Sequence, residues 1–387
     1  MKVFVAIQPY GILVLDDKGD LLEGFPFPKD AKIISDMIVR RSSLREILGE
    51  LIARVNATET EIVVNDAILK EVLREIGVNA MLSPEERPFL EIRRSPLRYA
   101  SRLWGDLKQR EYFSLLNEIE ILVTRSRVKE YLSSLDQQVI KAVDFVDHSN
   151  KALNIIAPAI REWYSIHFPE LDELLEDHYE FIKLVSVEPN RSKMKEDTLR
   201  SIGLNEKIVK RILEASRSSM GAELSDIDLQ AIKSAASSWI ALYEAKRDME
   251  LYIEELMRRA APNLSALVHP LVGARLIAIA GSLERLANLP ASSIQILGAH
   301  KAIFMHLTKG TKPPKHGVIF QAKEVRGSPK SLRGKIARLL ATKIAIAAKV
   351  DVYGGGRYIG DRVEEIDEKI RKYVEAMRSE DQRGSEL

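Results

Sequence analysis

Cysteine is absent from all 387 residues. That excludes a disulfide framework, a thiolate zinc site and a cysteine nucleophile, and it suits a reducing interior. Long apolar runs are missing too, none approaching the ~18 residues that a membrane helix needs. The opening Met1-Lys2-Val3-Phe4-Val5-Ala6-Ile7 is interrupted by Gln8-Pro9 and followed by Asp16-Asp17, which is not a signal-peptide pattern. A soluble protein of the cell interior is expected. No G-x-x-x-x-G-K-[ST] phosphate loop and no H-E-x-x-H metal site occurs. His300 and His306, six residues apart, fall on different sides of a helix and are not a metal pair. Gly354-Gly355-Gly356 comes after a helical pattern, not a strand, and reads as a helix stop. The expectation is therefore no catalytic residue, no metal and no cofactor held by this chain.

What is present is a segregation of charge. The net +2 is close to neutral, yet residues 256–350 hold 16 Lys and Arg against two acids, Glu284 and Glu324, a formal charge of +14. The rest of the chain then carries −12. Solubility does not require the signs to separate. A basic segment rich in helix formers is the electrostatic footprint of a polyanion site.

The apolar pattern changes along the chain. Lys2–Gln8 and Gly11–Leu15 are β-branched and aromatic runs separated by Pro9-Tyr10, with a further short run at Leu21-Leu22. Residues 31–55 read as helix, 61–64 as a buried strand and 66–76 as a helix with Gly77 at its end. Pro84, Pro88 and Pro96 are expected to break the region beyond Gly77. Leu132, Val139, Val146, Leu153 and Ile160 then recur every seven residues, with Leu135, Ala142, Ser149, Ile156 and Trp163 three later in each heptad. Such a seam predicts a long helix in a coiled coil. A second long helix begins at Ser225, where Asp228 completes a capping-box pattern. An antiparallel hairpin with a helical tip is the simplest arrangement. Beyond Pro262, helices are expected at 271–288, 292–307 (interrupted at Gly298) and 328–350. A short extended Val318-Ile319-Phe320 and a charged helix at 361–378 complete the pattern. The fold class is mostly α: a small N-terminal α/β domain, a long antiparallel coiled-coil hairpin and an all-α C-terminal domain.

Binding geometry concentrates in the basic segment. Lys335, Arg338, Thr342 and Lys349 share one face of a helix, with Leu332, Ile336, Leu339, Leu340 and Ile344 largely on another. One face packs while the other can meet phosphates, and Arg326, Lys330 and Arg333 extend the strip. In Gly298-Ala299-His300-Lys301-Ala302-Ile303-Phe304, small residues at a helical break allow close backbone approach. Lys301 supplies charge, and His300 can stack on a splayed base. Lys312-Pro313-Pro314-Lys315-His316-Gly317 is a stiff loop that presents its side chains at low entropic cost.

Several of these stretches resemble the Nop domain. They are Gly273-Ala-Arg-Leu-Ile-Ala-Ile-Ala-Gly281-Ser282-Leu283 and Pro290-Ala-Ser-Ser-Ile-Gln-Ile-Leu-Gly298-Ala299-His-Lys301-Ala302-Ile-Phe304. Pro314-Lys315-His316-Gly317-Val-Ile-Phe320 and Gly334-Lys335-Ile-Ala-Arg338 belong with them. The order of α/β head, coiled coil and helical domain extends the likeness over nearly the whole chain. It is similar to the family of archaeal Nop56/Nop58-type scaffolds of box C/D guide ribonucleoproteins.

The resemblance implies an N-terminal domain over 1–115 that holds fibrillarin, the S-adenosylmethionine-dependent RNA 2′-O-methyltransferase. It implies a coiled coil over 116–257 that pairs two copies as a homodimer. A Nop domain over 258–376 would bind box C/D guide RNA jointly with the kink-turn-binding protein, and 377–387 would be a tail. Gly298, Ala299, Lys301, Ala302 and Phe304 match the family's G-A-x-K-A-x-F element, and Lys335 and Arg338 match its G-K-I-[AS]-R helix. His300 stands where Glu is common, adding a stacking group, and Met305 where Arg is common, removing a phosphate contact.

With the basic strip, this assigns RNA contact to Gly298, Ala299, His300, Lys301, Lys312, Lys315, His316, Arg326, Lys330, Arg333, Lys335 and Arg338. Kink-turn-protein contact falls to Ala302, Phe304, Pro313 and Pro314. Dimerisation falls to Leu132, Leu135, Val139, Val146, Leu153, Ile156, Ile160 and Trp163. The expected function is a non-catalytic scaffold, with S-adenosylmethionine used by the partner. Its rivals are a splicing-type relative that binds a small nuclear RNA stem, an RNA-modifying enzyme, and a coiled-coil protein that bridges DNA.

Overall fold

A computed structural model describes residues 2–39, 44–54, 61–105, 108–355, 357, 368, 371, 372, 375 and 376. The chain forms two compact units, residues 1–133 and 134–387.

The first unit is built on a five-stranded sheet of order β3-β2-β1-β4-β5, with β1 Lys2–Gln8, β2 Gly11–Leu15, β3 Leu21–Pro26, β4 Glu61–Val64 and β5 Ala80–Leu82. β1 runs antiparallel to β2 and parallel to β4, with Phe4 opposite Leu15 and Val63. Helices α1 Ala31–Val39, α2 Leu44–Arg54, α3 Ala67–Glu75, α4 Arg87–Arg94, α5 Pro96–Trp104 and α6 Gln109–Ser133 complete it. The central strands β1, β2 and β4 read as apolar runs because both their faces are covered. Val3, Val5, Ile12, Val14, Ile62 and Val64 share one core with Ile34, Leu48, Leu73 and Ile119. Phe4, Ala6, Leu13, Leu15 and Val63 share the other with Phe89, Ile92, Tyr99 and Tyr112.

Several expectations change here. Pro88 and Pro96 stand in the first turns of α4 and α5, so they open helices where breaks were expected. The first turn needs no amide donor, and the fixed φ of proline suits it. β5 escaped notice because it is three residues long. Within the helix expected over 31–55, residues 40–43 and Val55 lie outside the described residues. The division expected near residue 115 falls inside α6, which is tied to the first unit by buried Tyr112, Ile119 and Val123.

The second unit begins with α7 Leu135–Ser165, whose N-cap Ser134 is extended, with φ −65° and ψ 145°. Leu132 therefore belongs to α6, and the heptad seam is cut after its first position. The capping box at Ser225 forms as expected, and α12 Asp226–Ala260 runs back along α7. The pairing is antiparallel: Val139–Val146 pack with Ile253–Met257, whereas Leu153–Tyr164 pack with Ile232 and Trp239. Between them, α8 Glu170–Leu174, α9 His178–Val187, a 3-10 turn Arg191–Lys193, α10 Glu196–Ser201 and α11 Glu206–Ser218 form the tip. The seam is consumed inside the chain. Val139, Val146, Leu153 and Ile160 are buried against these neighbours, not free for a second copy, while Ile156 and Trp163 remain exposed.

The remaining helices are α13 Pro262–Leu267, α14 Pro270–Ala280, α15 Leu283–Asn288, α16 Ala291–Ile296, α17 His300–Lys309, α18 Lys323–Arg326 and α19 Arg333–Tyr353. They share one core with the root of the hairpin, in which Val139 and Met257 touch the same cluster as Ile277, Ile336 and Leu340. A boundary at 258 therefore passes through a continuous core. The helix expected over 271–288 is two, because Gly281 ends α14 with φ +90° and Ser282 caps α15 by accepting from the Arg285 amide. Val318–Gln321 is a 3-10 turn, not an extended segment. Its partners are the turn before α17 and the core, which leaves it no neighbouring strand among the described residues to pair with. Gly354 stops α19 as expected. The helix expected at 361–378 and the tail at 377–387 lie almost wholly outside the described residues.

Candidate nucleic-acid interface

α19 carries the site because its two sides differ. Ile336, Ala337, Leu340, Ala341, Ile344, Ala347 and Ala348 are buried. Lys335, Arg338, Thr342 and Lys349 lie on the opposite side, Lys335, Arg338 and Lys349 with their charges toward solvent. The helical period thus delivers a cationic ridge to solvent. Arg326 and Lys330 are exposed on α18 and on the turn beyond it.

At the start of α19 the structure joins residues that lie far apart in sequence. Gln295 of α16 donates through Nε2 to the Lys315 carbonyl at 2.7 Å and reaches the Gly334 carbonyl at 3.4 Å. The Gln295 carbonyl accepts from the Gly317 amide at 2.9 Å, and the Val318 amide donates to the Leu297 carbonyl at 2.8 Å. One glutamine therefore fastens the stiff loop to both α16 and α19. Gly334 leaves room for the Lys315 stem, because a β-carbon there would touch that side chain at 3.3 Å.

The loop's His316 lies on Phe320, with ring centroids 4.8 Å apart and planes 18° from parallel. The Arg333 guanidinium sits 5.2 Å from the same ring and donates through Nε to the Ser328 carbonyl at 3.1 Å. Partial burial lowers the His316 pKa, and the charges of Arg333 and Lys315 push the same way; a backbone hydrogen bond opposes them. A cation and an imidazole whose charged form is disfavoured thus share one aromatic support. An arriving phosphate would be attracted to the cation and would favour protonating the imidazole.

α17 is unusual. None of its residues is buried; Phe304 is 64% and Leu307 76% exposed. Gly298 turns the chain into it with φ +86°, a conformation that disfavours a side chain, and a β-carbon there would meet Val318 at 2.6 Å. His300, Lys301 and Ala302 stand on its first turn, after Ala299 as N-cap, with His300 and Lys301 exposed. Lys312 and Pro313 are exposed on the loop beyond it, and Pro314 is half-buried. With Ile303 only partly buried and no residue fully so, this ten-residue helix contributes little apolar stabilisation to its own domain.

Gln295, Phe320 and Arg275 lie within the quoted motifs but were given no role in the site. Arg275 ties α14 to α7 through Asp147 at 2.9 Å and also donates to Gln321. A polar Gln295 between Ile294 and Ile296 was the available signal, but its partners come from other elements. Leu132 and Leu135, expected at a dimer contact, sit in different units. Among the described residues no group of three His, Cys, Asp or Glu is placed to hold a metal ion. No described helix is long and apolar enough to cross a membrane.

Comparison with known proteins agrees with the motifs. The family model of the Nop domain, described as snoRNA binding domain, fibrillarin, matches residues 145–378. That of the archaeal Nop5/56-related N-terminal domain matches residues 2–129. An uncharacterized NOP5 family protein of Methanocaldococcus jannaschii is 42% identical over 257 residues, 66% of this chain and 60% of that one. Nucleolar protein 56 of Homo sapiens is 37% identical over 256 residues, 65% of this chain and 43% of that one. The match thus spans less than two thirds of either relative's length. A chain of the solved fibrillarin/Nop5p complex aligns over 72% of this chain and 84% of its own, at 26% identity and a TM-score of 0.35. With matched models over both units, together accounting for most of its length, this chain belongs to the Nop family, with an N-terminal domain of the archaeal Nop5/56-related type.

Proposed function

We propose that the chain is a non-catalytic scaffold of a box C/D guide ribonucleoprotein. Its first unit holds a fibrillarin-type RNA 2′-O-methyltransferase, and its second binds guide RNA together with a kink-turn-binding protein. The observation that carries this reading is α17, a helix with no buried residue inside a stretch, 285–323, that contains no Asp or Glu. Exposed Phe304 and Leu307 suit a protein surface, while His300, Lys301, Lys312 and Lys315 suit phosphates. Lys335, Arg338, His316 and Arg333 extend the cationic track, with Arg326 and Lys330 at its margin.

The chemistry belongs to the partner, which uses S-adenosylmethionine. The scaffold contributes position: holding methyltransferase and guide in one particle makes methyl transfer effectively intramolecular. Two copies associate through the side of α7 that the hairpin leaves open. There Phe145, Ala152, Ile156, Ala159 and Trp163 recur at three-, four- and seven-residue spacing. This replaces the seam of Val139, Val146, Leu153 and Ile160, which is spent inside each copy.

Filter binding tests the composite surface. The expected result is weak retention of naked kink-turn RNA and at least tenfold tighter retention of the same RNA with its kink-turn protein. Equal affinity for both would overturn the reading. Reconstituted 2′-O-methylation should require this chain, the methyltransferase, the kink-turn protein and the guide RNA together. Methylation by the purified chain alone would make it an enzyme instead.

A further inference from the structure

Residues 256–350 contain two acids, and Glu324 is one of them. Its side chain is only 10% exposed. Its ion-pair partner is the adjacent Lys323 at 3.8 Å, and among the described residues nothing donates a hydrogen bond to its carboxylate. A carboxylate withdrawn from water without donors is unfavourable, and a ligand that supplies them relieves the cost.

Glu324 lines a cavity of about 450 Å³, within the size range of small-ligand sites. Leu267, Val268 and Val272 supply apolar wall, and Arg275, Gln321 and Lys323 share the polar part with Glu324. Gln321 is held in one sense. Arg275, itself paired with Asp147 at 2.9 Å, donates to Gln321 Oε1, which leaves the Nε2 hydrogens without a partner among the described residues. The cavity therefore offers amide donors, carboxylate acceptors and apolar surface together.

A guanine base presents the complement on its Watson–Crick edge: O6 accepts, while N1–H and the N2 amino group donate side by side. Adenine and cytosine place their amino group next to acceptors, and uracil has one donor between two acceptors. None of these aligns two donors with one carboxylate. Lys323, whose side chain is 83% exposed, suits the phosphate of such a nucleotide. The same cation and Arg275 disfavour the competing occupant, a Lys or Arg side chain of a partner protein.

We infer that this cavity binds a guanine nucleotide, with Glu324 accepting from N1 and N2 and Gln321 donating to O6. The base belongs to the bound RNA strand. Gln321 ends the 3-10 turn whose Phe320 supports His316 and Arg333, so the cavity adjoins the cationic track. That source rests on the proposed function; the preference for guanine does not. A single splayed guanine held here gives a scaffold that otherwise grips phosphates one sequence-dependent contact.

Full-length protein is titrated with the 5′-monophosphates of guanosine, inosine, adenosine and cytidine, followed by ligand-observed NMR. The guanosine nucleotide should bind at least fivefold tighter than those of adenosine and cytidine, with inosine, which lacks the N2 amino group, in between. Glu324→Gln keeps the shape but exchanges an acceptor for a donor, and should erase the preference. Gln321→Glu, at an exposed position, replaces the donor and should do the same, so the test survives a folding defect in the first variant. Lys323→Gln should weaken all four nucleotides alike. Equal binding of the four, or a guanine preference that survives both changes in folded protein, overturns the site. So does binding of arginine methyl ester in place of any nucleotide, which would assign the cavity to a protein's cation. Saturating kink-turn RNA–protein complex should exclude the guanosine nucleotide. Its continued binding beside bound RNA overturns the RNA source and leaves a free nucleotide as the ligand. Failure of wild-type protein to bind the RNA complex in any form would instead sink the proposed function, with the guanine site still judged by the titrations.

Discussion

Gly317 lies backbone against backbone with Leu297: a β-carbon at 317 would sit 2.0 Å from the Leu297 carbonyl oxygen. That carbonyl is not free to move, because it accepts the Val318 amide at 2.8 Å. Gly317→Ala should therefore cost about 1–3 kcal/mol, as overpacking against fixed atoms does. The loop should also detach from the turn that leads into α17. Thermal melting checks the first effect. Affinity for the RNA–kink-turn-protein complex, measured below the melting range, checks the second. An alanine protein equal to wild type in both would remove this contact from the account.

The cationic ridge of α19 predicts a salt signature. Lys335→Gln and Arg338→Gln should each weaken RNA binding and lower the slope of log affinity against log salt by about 1. Both side chains are exposed, so the melting temperature should hardly change. Unchanged slopes with unchanged fold would mean that this face meets no phosphate.

His316 predicts a pH dependence with a definite sign. Its pKa in the folded protein is lowered by burial, with Arg333 and Lys315 adding to the effect. As pH falls, the unfolded chain takes up this proton first, so stability falls with it. The contribution is complete above the ordinary histidine value of ~6.5 and is lost as pH drops from there through the folded value. His316→Phe keeps a ring on Phe320 without a titrating group. Between pH 7.5 and 5.5 the wild type should lose melting temperature relative to this variant. A pH-independent difference would contradict the assignment.

Two isoleucines of α7 should behave oppositely. Ile160 is 3% exposed within the hairpin core and Ile156 is 41% exposed. Ile160→Ala should destabilise folding by about 2–5 kcal/mol, the usual range for a buried isoleucine. Ile156→Ala should leave the folding free energy within about 0.5 kcal/mol and weaken self-association. Denaturant melts and sedimentation separate the two outcomes. Reversed results would return dimerisation to the heptad seam.

Legibility tracked the range of the interactions. The capping box at Ser225 could be read directly because its partner is three residues away, and it forms with Asp228. The two faces of α19 were legible for the same reason, since helical periodicity sorts Ile336, Leu340 and Ile344 from Lys335 and Arg338 without outside help. The seam from Val139 to Ile160 was correctly apolar and is covered by α12 and the tip, as the expected hairpin requires, but its residues were also assigned to pairing with a second copy. A stripe of buried residues does not say whether α12 or a second copy covers it. The prolines at 88 and 96 misled because one residue can end a helix or begin one, and the neighbouring packing decides.

The chain's order of letters alone determined the helical character, the absence of thiol chemistry, the crowding of positive charge into 256–350 and the motifs that place it in the Nop family. These are properties of composition or of residues within a few positions of each other. Tertiary structure decided that α17 stays bare, that Gln295 binds the loop and α19 at once, that His316 rests on Phe320, and that the root of the hairpin shares the core of the helices around α19. Each depends on groups far apart in sequence, whose encounter is set by the competition for burial across the whole unit.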